Sequence, residues 1–157
     1  MFKIQRRLFS FTVAAGVVAV LVQTSCSTAP TEQKAGGGSS DLNRYYSGIG
    51  VGPVTAVDLS APVNPEMKGK GSEIFNTKCI ACHDVTDKRK IGPGLAGVTK
   101  RRKGEWIMNQ MLNPMGMTQN DSMSKALLAV YTAQMTDMQL NQEEARAVLE
   151  FLRSNDQ

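Results

Sequence analysis

The chain is poor in the residues that most metal and redox sites draw on. Its 157 residues include one histidine, His83, and three cysteines, Cys26, Cys79 and Cys82. A metal site built from several imidazoles of this chain is thereby excluded. Alternation with the period of a strand is scarce, and no internal repeat appears, which leaves few routes to a β fold or a solenoid. The longest apolar run, from about Leu8 to Val22, falls short of the roughly 20 residues a membrane-spanning helix needs. Acids are missing from the first 25 residues, which hold Lys3, Arg6 and Arg7. The formal charge of +4 and pI near 9.1 invite a nucleic-acid role. Without that segment, 15 basic residues face 14 acidic ones and the net charge is +1. What is abundant is apolar content, at 41% enough for a globular core and too much for wholesale disorder.

Residues 1–25 have the layout of a secretory signal: positive residues, an apolar stretch, then small residues. Thr24-Ser25-Cys26, followed by Ser27, resembles the lipobox of bacterial lipoproteins, with Gln23 where an aliphatic residue is usual. The resemblance implies cleavage before Cys26 and lipid on its thiol. Ordinary secretion with cleavage elsewhere is the alternative. Residues 26–41 then read as lipid anchor and flexible tether, being polar and rich in Gly and Ser. Residues 42–63 carry Tyr45, Tyr46, Ile49, Val51, Val54, Val57 and Leu59 among glycines and Pro53 that prevent a helix, and read as an extended arm.

Residues 64–157 form the folded domain, all-α with about four to five helices and long loops. Asn64-Pro65 opens the first helix, which runs to about Cys79. Gly69 and Gly71 within it suggest close packing by another element. A second helix spans Lys103 or Gly104 to Leu112, carries Trp106 and stops at Asn113-Pro114. A third runs from Asp121 to about Tyr131. The last is the clearest: Asn141 caps it, Glu144 completes a capping box, and Ala145, Val148, Leu149 and Leu152 recur at helical spacing.

Cys79-Ile80-Ala81-Cys82-His83 carries the chemistry. C-x-x-C-H is the attachment sequence of c-type haem. Two thiols three positions apart on a helical turn can add to the two vinyl groups of one porphyrin, and the next residue sets an imidazole against the iron. A zinc site would want four ligands, and this cluster provides three. A thioredoxin-like pair expects a βαβ pattern nearby. A Cys79–Cys82 disulfide would close a very short, strained loop.

With these residues in view, the domain resembles a class I monohaem cytochrome c over roughly residues 65–155. Gly71 and Phe75 match the family's first helix, Gly92-Pro93-Gly94-Leu95 its haem loop, and Phe151 the aromatic of its last helix. The resemblance implies one covalently bound haem c, held by Cys79 and Cys82 with His83 as axial ligand. With the one histidine used, the sixth ligand falls to a methionine. In the family it lies on a loop just before the last helix, commonly followed by Pro. Met135-Thr136-Asp137-Met138-Gln139-Leu140-Asn141 matches, with Thr136 in place of Pro. Met135 is the first candidate, with Met138, then Met115 and Met117 as loop residues, or an open site, as alternatives. The carbonyl of Pro93 is expected to accept from His83, and Leu95 to pack on the haem. Trp106 is expected in the pocket as wall or propionate donor, or else as a core indole.

Lys88, Arg89 and Lys90, with Lys100, Arg101, Arg102 and Lys103, place seven cations within 16 residues around the haem loop. From Glu105 onward seven acids outnumber three bases. The basic cluster reads as a docking face for acidic redox partners, or as a solvated loop. The function implied is a single-electron carrier and not an enzyme. A haem enzyme or gas-binding protein with an open sixth site, or a permanent haem subunit of a larger complex, is the alternative. Family partners would be a quinol–cytochrome c oxidoreductase (cytochrome bc-type complex) as donor and a terminal oxidase or nitrogen-oxide reductase as acceptor. The Gly50-Val51-Gly52-Pro53-Val54 run resembles lipoprotein cytochromes associated with nitrous oxide reductase. No nucleic-acid partner is expected. The expected location is the periplasm or cell surface, on a membrane through Cys26. Ser27, which is not an inner-membrane retention Asp, favours the outer one.

Overall fold

The computed structural model describes residues 42–157; the expected signal segment, Cys26 and the tether lie outside them. Among the described residues there are six helices and no strand: α1 (Pro65–Ile74), α2 (Val98–Arg101), α3 (Gly104–Leu112), α4 (Pro114–Asn120), α5 (Ser122–Tyr131) and α6 (Gln142–Asn155). A π-helical turn, Phe75–Cys79, continues α1. The all-α expectation holds, with more helices than the expected four to five. The added ones are short. Asn113-Pro114, expected to stop α3, does more than that. There the Asn113 side chain accepts from Gly116 N–H at 3.1 Å and Pro114 takes the first turn, so the same dipeptide ends α3 and starts α4.

The core forms where α1 crosses α6. Gly71 is buried at the crossing. A Cβ there would sit 2.9 Å from Val148 N and overlap the Ala147 carbonyl. Gly69, expected to mark a second close approach, has nothing within 4 Å of its Cβ position. One turn on, Phe75 and Phe151 pack with ring centroids 5.4 Å apart at 48°. The capping box at Asn141 and Glu144 is formed, and Ala145, Val148, Leu149 and Leu152 are buried. Below them Glu150 is buried as well. It accepts from Arg146 at 2.8 Å, from Arg153 at 2.7 Å and from Asn64 N–H at 3.2 Å, which ties α6 to the start of α1.

Residues 42–63 are not a loose arm. They run across α3, α4 and α6 and are pinned along their length. Asn109 on α3, 1% exposed, accepts from Val54 N–H at 2.9 Å and donates to the carbonyls of Ile49 and Val54, both at 2.9 Å. Val57 N–H reaches Glu105 at 3.0 Å, and Arg153 donates to the carbonyls of Leu59 and Ala61 at 3.0 Å each. Gly50 holds φ +74°, a left-handed conformation that favours glycine, and abuts the end of the Met117 side chain.

Candidate functional site

The π-turn shapes the motif. Ile80 N–H reaches back five residues to Phe75 at 3.0 Å. His83 and Cys82 N–H then both bond the Cys79 carbonyl, at 2.9 and 3.1 Å. This tight chain reversal brings Cys79, Cys82 and His83 onto the wall of one cavity of about 500 Å³. Cys79 and Cys82 are not joined in a disulfide. Burial pushes the Cys79 thiol up, Lys78 opposes this and Cys82 adds to it, the reverse of the lowered pKa that a redox-active pair uses.

The loop after the motif is folded over His83. Gly92 N–H bonds the Cys82 carbonyl and Leu95 N–H the Asp84 carbonyl, both at 2.8 Å. His83 Nδ1 lies 3.0 Å from the Pro93 carbonyl oxygen. That partner can only accept, so Nδ1 carries the proton and Nε2 is left with a free lone pair. Burial lowers the imidazole pKa; the Pro93 carbonyl opposes this, and Lys90 lowers it further. The ring is thus neutral and ready to bind a metal. A Cβ at Gly92 would fall 2.5 Å from His83 Cε1, so only glycine lets the loop close on the ring. Pro93 and Leu95 line the cavity beside it.

A separate segment supplies the thioethers. Residues between α5 and α6 leave α5 at Thr132 (φ 55°) and turn toward α6 at Gln139 (φ 53°), both left-handed. Met135 and Met138 on this loop line the cavity. Gln110 Nε2 stands 3.7 Å from Met135 Sδ, whereas Met138 is held through its carbonyl by Lys78 Nζ at 2.9 Å. Gln134 anchors the loop to α4, donating to Pro114 O at 3.3 Å and accepting from Thr118 at 2.9 Å. Met115 and Met117 are not loop residues as expected. They lie on α4 and off the cavity: Met115 is exposed, and Met117 is fully buried with its sulfur accepting from Val51 N–H at 3.0 Å.

Two further expectations change. Trp106 lines the cavity, but its indole N–H is donated to Asp121 at 3.1 Å, so it can wall a cofactor and has no proton for a propionate. Arg102 leaves the docking set. It is 4% exposed, packs over the Trp106 ring at 5.5 Å and donates to the carbonyls of Leu42 and Arg44. Arg101 is half-buried, bonds the Ala96 carbonyl and lines the cavity. Lys88, Arg89, Lys100 and Lys103 are exposed, with Arg89 stacked 4.6 Å over Tyr131. Lys90 lies 3.6 Å from Asp84.

Spacing along the chain did not single out Gln110, Ser124, Asn109 or Asp121 as functional residues. Asp121 was visible only as the start of a helix. It is 5% exposed and accepts from Tyr46 OH at 2.8 Å, Trp106 and Ser124 N–H. Burial works against its charge, and these donors outweigh it, so its carboxyl titrates below the usual range.

The donor set fits a porphyrin: two thiols at attachment spacing, a neutral imidazole, a thioether from another loop and a cavity of ligand size. A family model described as Cytochrome c matches residues 69–156. Cytochrome c2 of Rhodopila globiformis is 44% identical over 46 residues, 29% of this chain and 42% of that protein. Cytochrome c of Kluyveromyces lactis is 37% identical over 49 residues, 30% of this chain and 44% of that protein. The chain thus spans less than half the length of these curated relatives. The structure of cytochrome c from Rhodothermus marinus is 48% identical with a TM-score of 0.64, covering 66% of this chain and 89% of that one. An engineered form of that protein, solved with a bound carbene intermediate, is 45% identical at 0.61, with 66% and 89% covered.

Proposed function

This chain belongs to the cytochrome c family, whose cofactor is a covalently bound haem c, and on that premise we propose that it is a lipid-anchored, single-electron carrier of the periplasm. One observation carries the reading. A single cavity takes Cys79, Cys82 and His83 from one segment and the Met135 thioether from another. With His83 and Met135 both donating to the metal, the chain would leave no site on it for a substrate.

When bound, the haem supplies the one-electron Fe(II)/Fe(III) couple. The chain does the rest. Cys79 and Cys82 would hold the group through thioether bonds. The Pro93 carbonyl holds the proton on Nδ1 of His83 and keeps Nε2 for the metal. Met135, a soft neutral donor, would favour the reduced state and raise the potential. Leu95, Trp106 and Phe75 line a largely apolar wall, which disfavours the extra charge of the oxidised state.

Lys88, Arg89, Lys100 and Lys103 are exposed, as are Ile80 and Ile91 at 44% and 57%, and such cations suit an acidic redox partner. Donor and acceptor would be a cytochrome bc-type complex and a terminal oxidase or nitrogen-oxide reductase, nitrous oxide reductase included. Cys26 would carry the lipid. With residues 42–63 pinned to the domain, the expected tether would be left with residues 27–41 alone. A flexible chain of 15 residues has an r.m.s. reach of about 20 Å, against about 30–35 Å had the arm been loose. The carrier then shuttles between partners close to its own membrane.

The spectrum of the haem-loaded protein tests the core reading. A low-spin form with a narrow reduced α-band, no shift under carbon monoxide and loss of methionine ligation in Met135→Ala is the expected result. A high-spin, carbon-monoxide-binding form would sink the carrier reading. Unchanged ligation in Met135→Ala with loss in Met138→Ala would move the ligand to Met138. Lipid labelling that persists in Cys26→Ser would move the lipid off Cys26, and a parent that takes no label would remove the anchor.

A further inference from the structure

The stretch where the expected tether joins the domain is part of the cavity wall. Leu42 and Asn43, the first of the described residues, line the cavity beside Arg102 and Trp106. Two side chains of the domain hold this stretch in place. Arg102, 4% exposed, turns its guanidinium onto backbone: Nη2 donates to the Leu42 carbonyl, and Nη1 to the carbonyls of Arg44 at 2.8 Å and Arg101 at 3.0 Å. Nη2 also lies 3.1 Å from Met123 Sδ, and the group covers the Trp106 ring at 5.5 Å. Among the described residues Arg102 forms no ion pair. A guanidinium cannot shed its proton, so the carbonyls of the arm stand in for the water that burial removed. Asp121 is the second clasp. Tyr46 OH donates to it at 2.8 Å, and Tyr46 N–H bonds the Arg101 carbonyl at 2.9 Å. Both clasps meet at Trp106, Arg102 over its ring and Asp121 at its indole N–H.

We propose that Arg102 is a positioning residue that holds Leu42 and Asn43 as a seal on the cavity, and that this seal raises the reduction potential of the site. The proposal needs haem in the cavity, but neither the Met135 assignment nor lipid on Cys26. The oxidised site carries one more positive charge than the reduced one. Water at the cavity edge stabilises that charge better than a packed leucine does, so opening the seal favours Fe(III). The geometry calls for arginine in particular. Its planar fork reaches Leu42, Arg44 and Arg101 at once while lying over the indole, whereas a lysine ammonium is a point charge on a flexible stem. The segment that leads to the expected anchor thereby also sets the surroundings of the iron.

The test uses the full haem-loaded chain and reads the potential together with amide exchange at residues 44–46. Arg102→Lys keeps the charge and loses the fork. Leu42→Gly keeps Arg102 and thins the seal. Each should shift the reduced-to-oxidised ratio at fixed ambient potential toward Fe(III) by about threefold, or about 28 mV for one electron. Arg102→Lys should also speed the exchange. Faster exchange with the parent potential in both variants overturns the proposal and leaves Arg102 a structural clasp. Unchanged exchange in Arg102→Lys overturns it as well. A potential shift in one variant alone does the same: in Arg102→Lys alone the arginine acts without the seal, and in Leu42→Gly alone the seal holds without the arginine. Should Arg102→Lys fail to load haem, Leu42→Gly decides, and an unmoved potential there overturns the proposal.

Discussion

Gly71 and Gly69 sit two residues apart on the same helix and predict opposite outcomes for the same substitution. In an exposed helix interior Gly→Ala is favourable by about 1 kcal/mol, because alanine loses less backbone entropy. At Gly69 nothing lies within 4 Å of the added Cβ, so that gain should appear almost whole. At Gly71 the Cβ would stand 2.9 Å from Val148 N and inside the Ala147 carbonyl, under the 3.0 Å that real Cβ contacts respect. Those atoms are α6 backbone and cannot swing aside. α1 and α6 must part, which loosens the Phe75–Phe151 contact at 5.4 Å just beyond. Overpacking of this kind costs about 3 kcal/mol at the stiff end of its range. Less the propensity gain, Gly71→Ala should lose about 2 kcal/mol, or about 8–16 °C in Tm for a domain near 100 residues. Thermal unfolding followed by circular dichroism and by haem absorbance decides it. Gly69→Ala should be neutral or more stable than the parent. Equal Tm values for the two variants would refute the helix crossing as the reason for Gly71.

Other consequences follow from the contacts of single residues. Asn109→Ala removes one acceptor and two donors to the arm, and should cost about 2–3 kcal/mol and raise amide exchange across residues 49–54; unchanged exchange there would mean that the arm is held elsewhere. Glu150 is buried, which raises its pKa, but Arg153, Arg146 and Asn64 N–H lower it more, so the folded carboxyl titrates below its ordinary value. Its stabilising effect is present above the unfolded pKa of about 4.3 and lost as pH falls through the lower folded value. Glu150→Gln should therefore be less stable than the parent at pH 7, and the gap should close on acidification; a gap independent of pH would contradict the pairing. Lys100→Glu with Lys103→Glu should slow electron transfer to an acidic partner at low salt, and added salt should slow the parent; a flat salt response removes the docking face.

The parts of this protein that were legible in its sequence are those whose partners lie within a few residues. The haem motif spans five positions, the Asn64 and Asn141 caps reach three residues on, and the apolar face of α6 repeats within two turns. The loop placement of Met115 and Met117 failed locally, because Asn113-Pro114 starts a helix as well as ending one. The Trp106 propionate donor and the docking role of Arg102 failed because each was inferred from position along the chain and each side chain met something far off in it. Asp121 took the Trp106 indole from 15 residues away, and Arg102 turned inward to carbonyls about 60 residues upstream. Composition and glycine content marked residues 42–63 as non-helical, but the clamp that makes them part of the domain is Asn109, a residue with no mark of its own.

The sequence by itself marked the haem-attachment motif, the one histidine beside it and the main helices, because covalent spacing and backbone hydrogen bonding act over a few residues. Only the tertiary structure decided which methionines reach the cavity, what stands beside their sulfur, which cations face solvent and where the arm lies. Those outcomes depend on which surfaces close packing brings together across tens of residues, and on the demand that every buried donor and acceptor find a partner there.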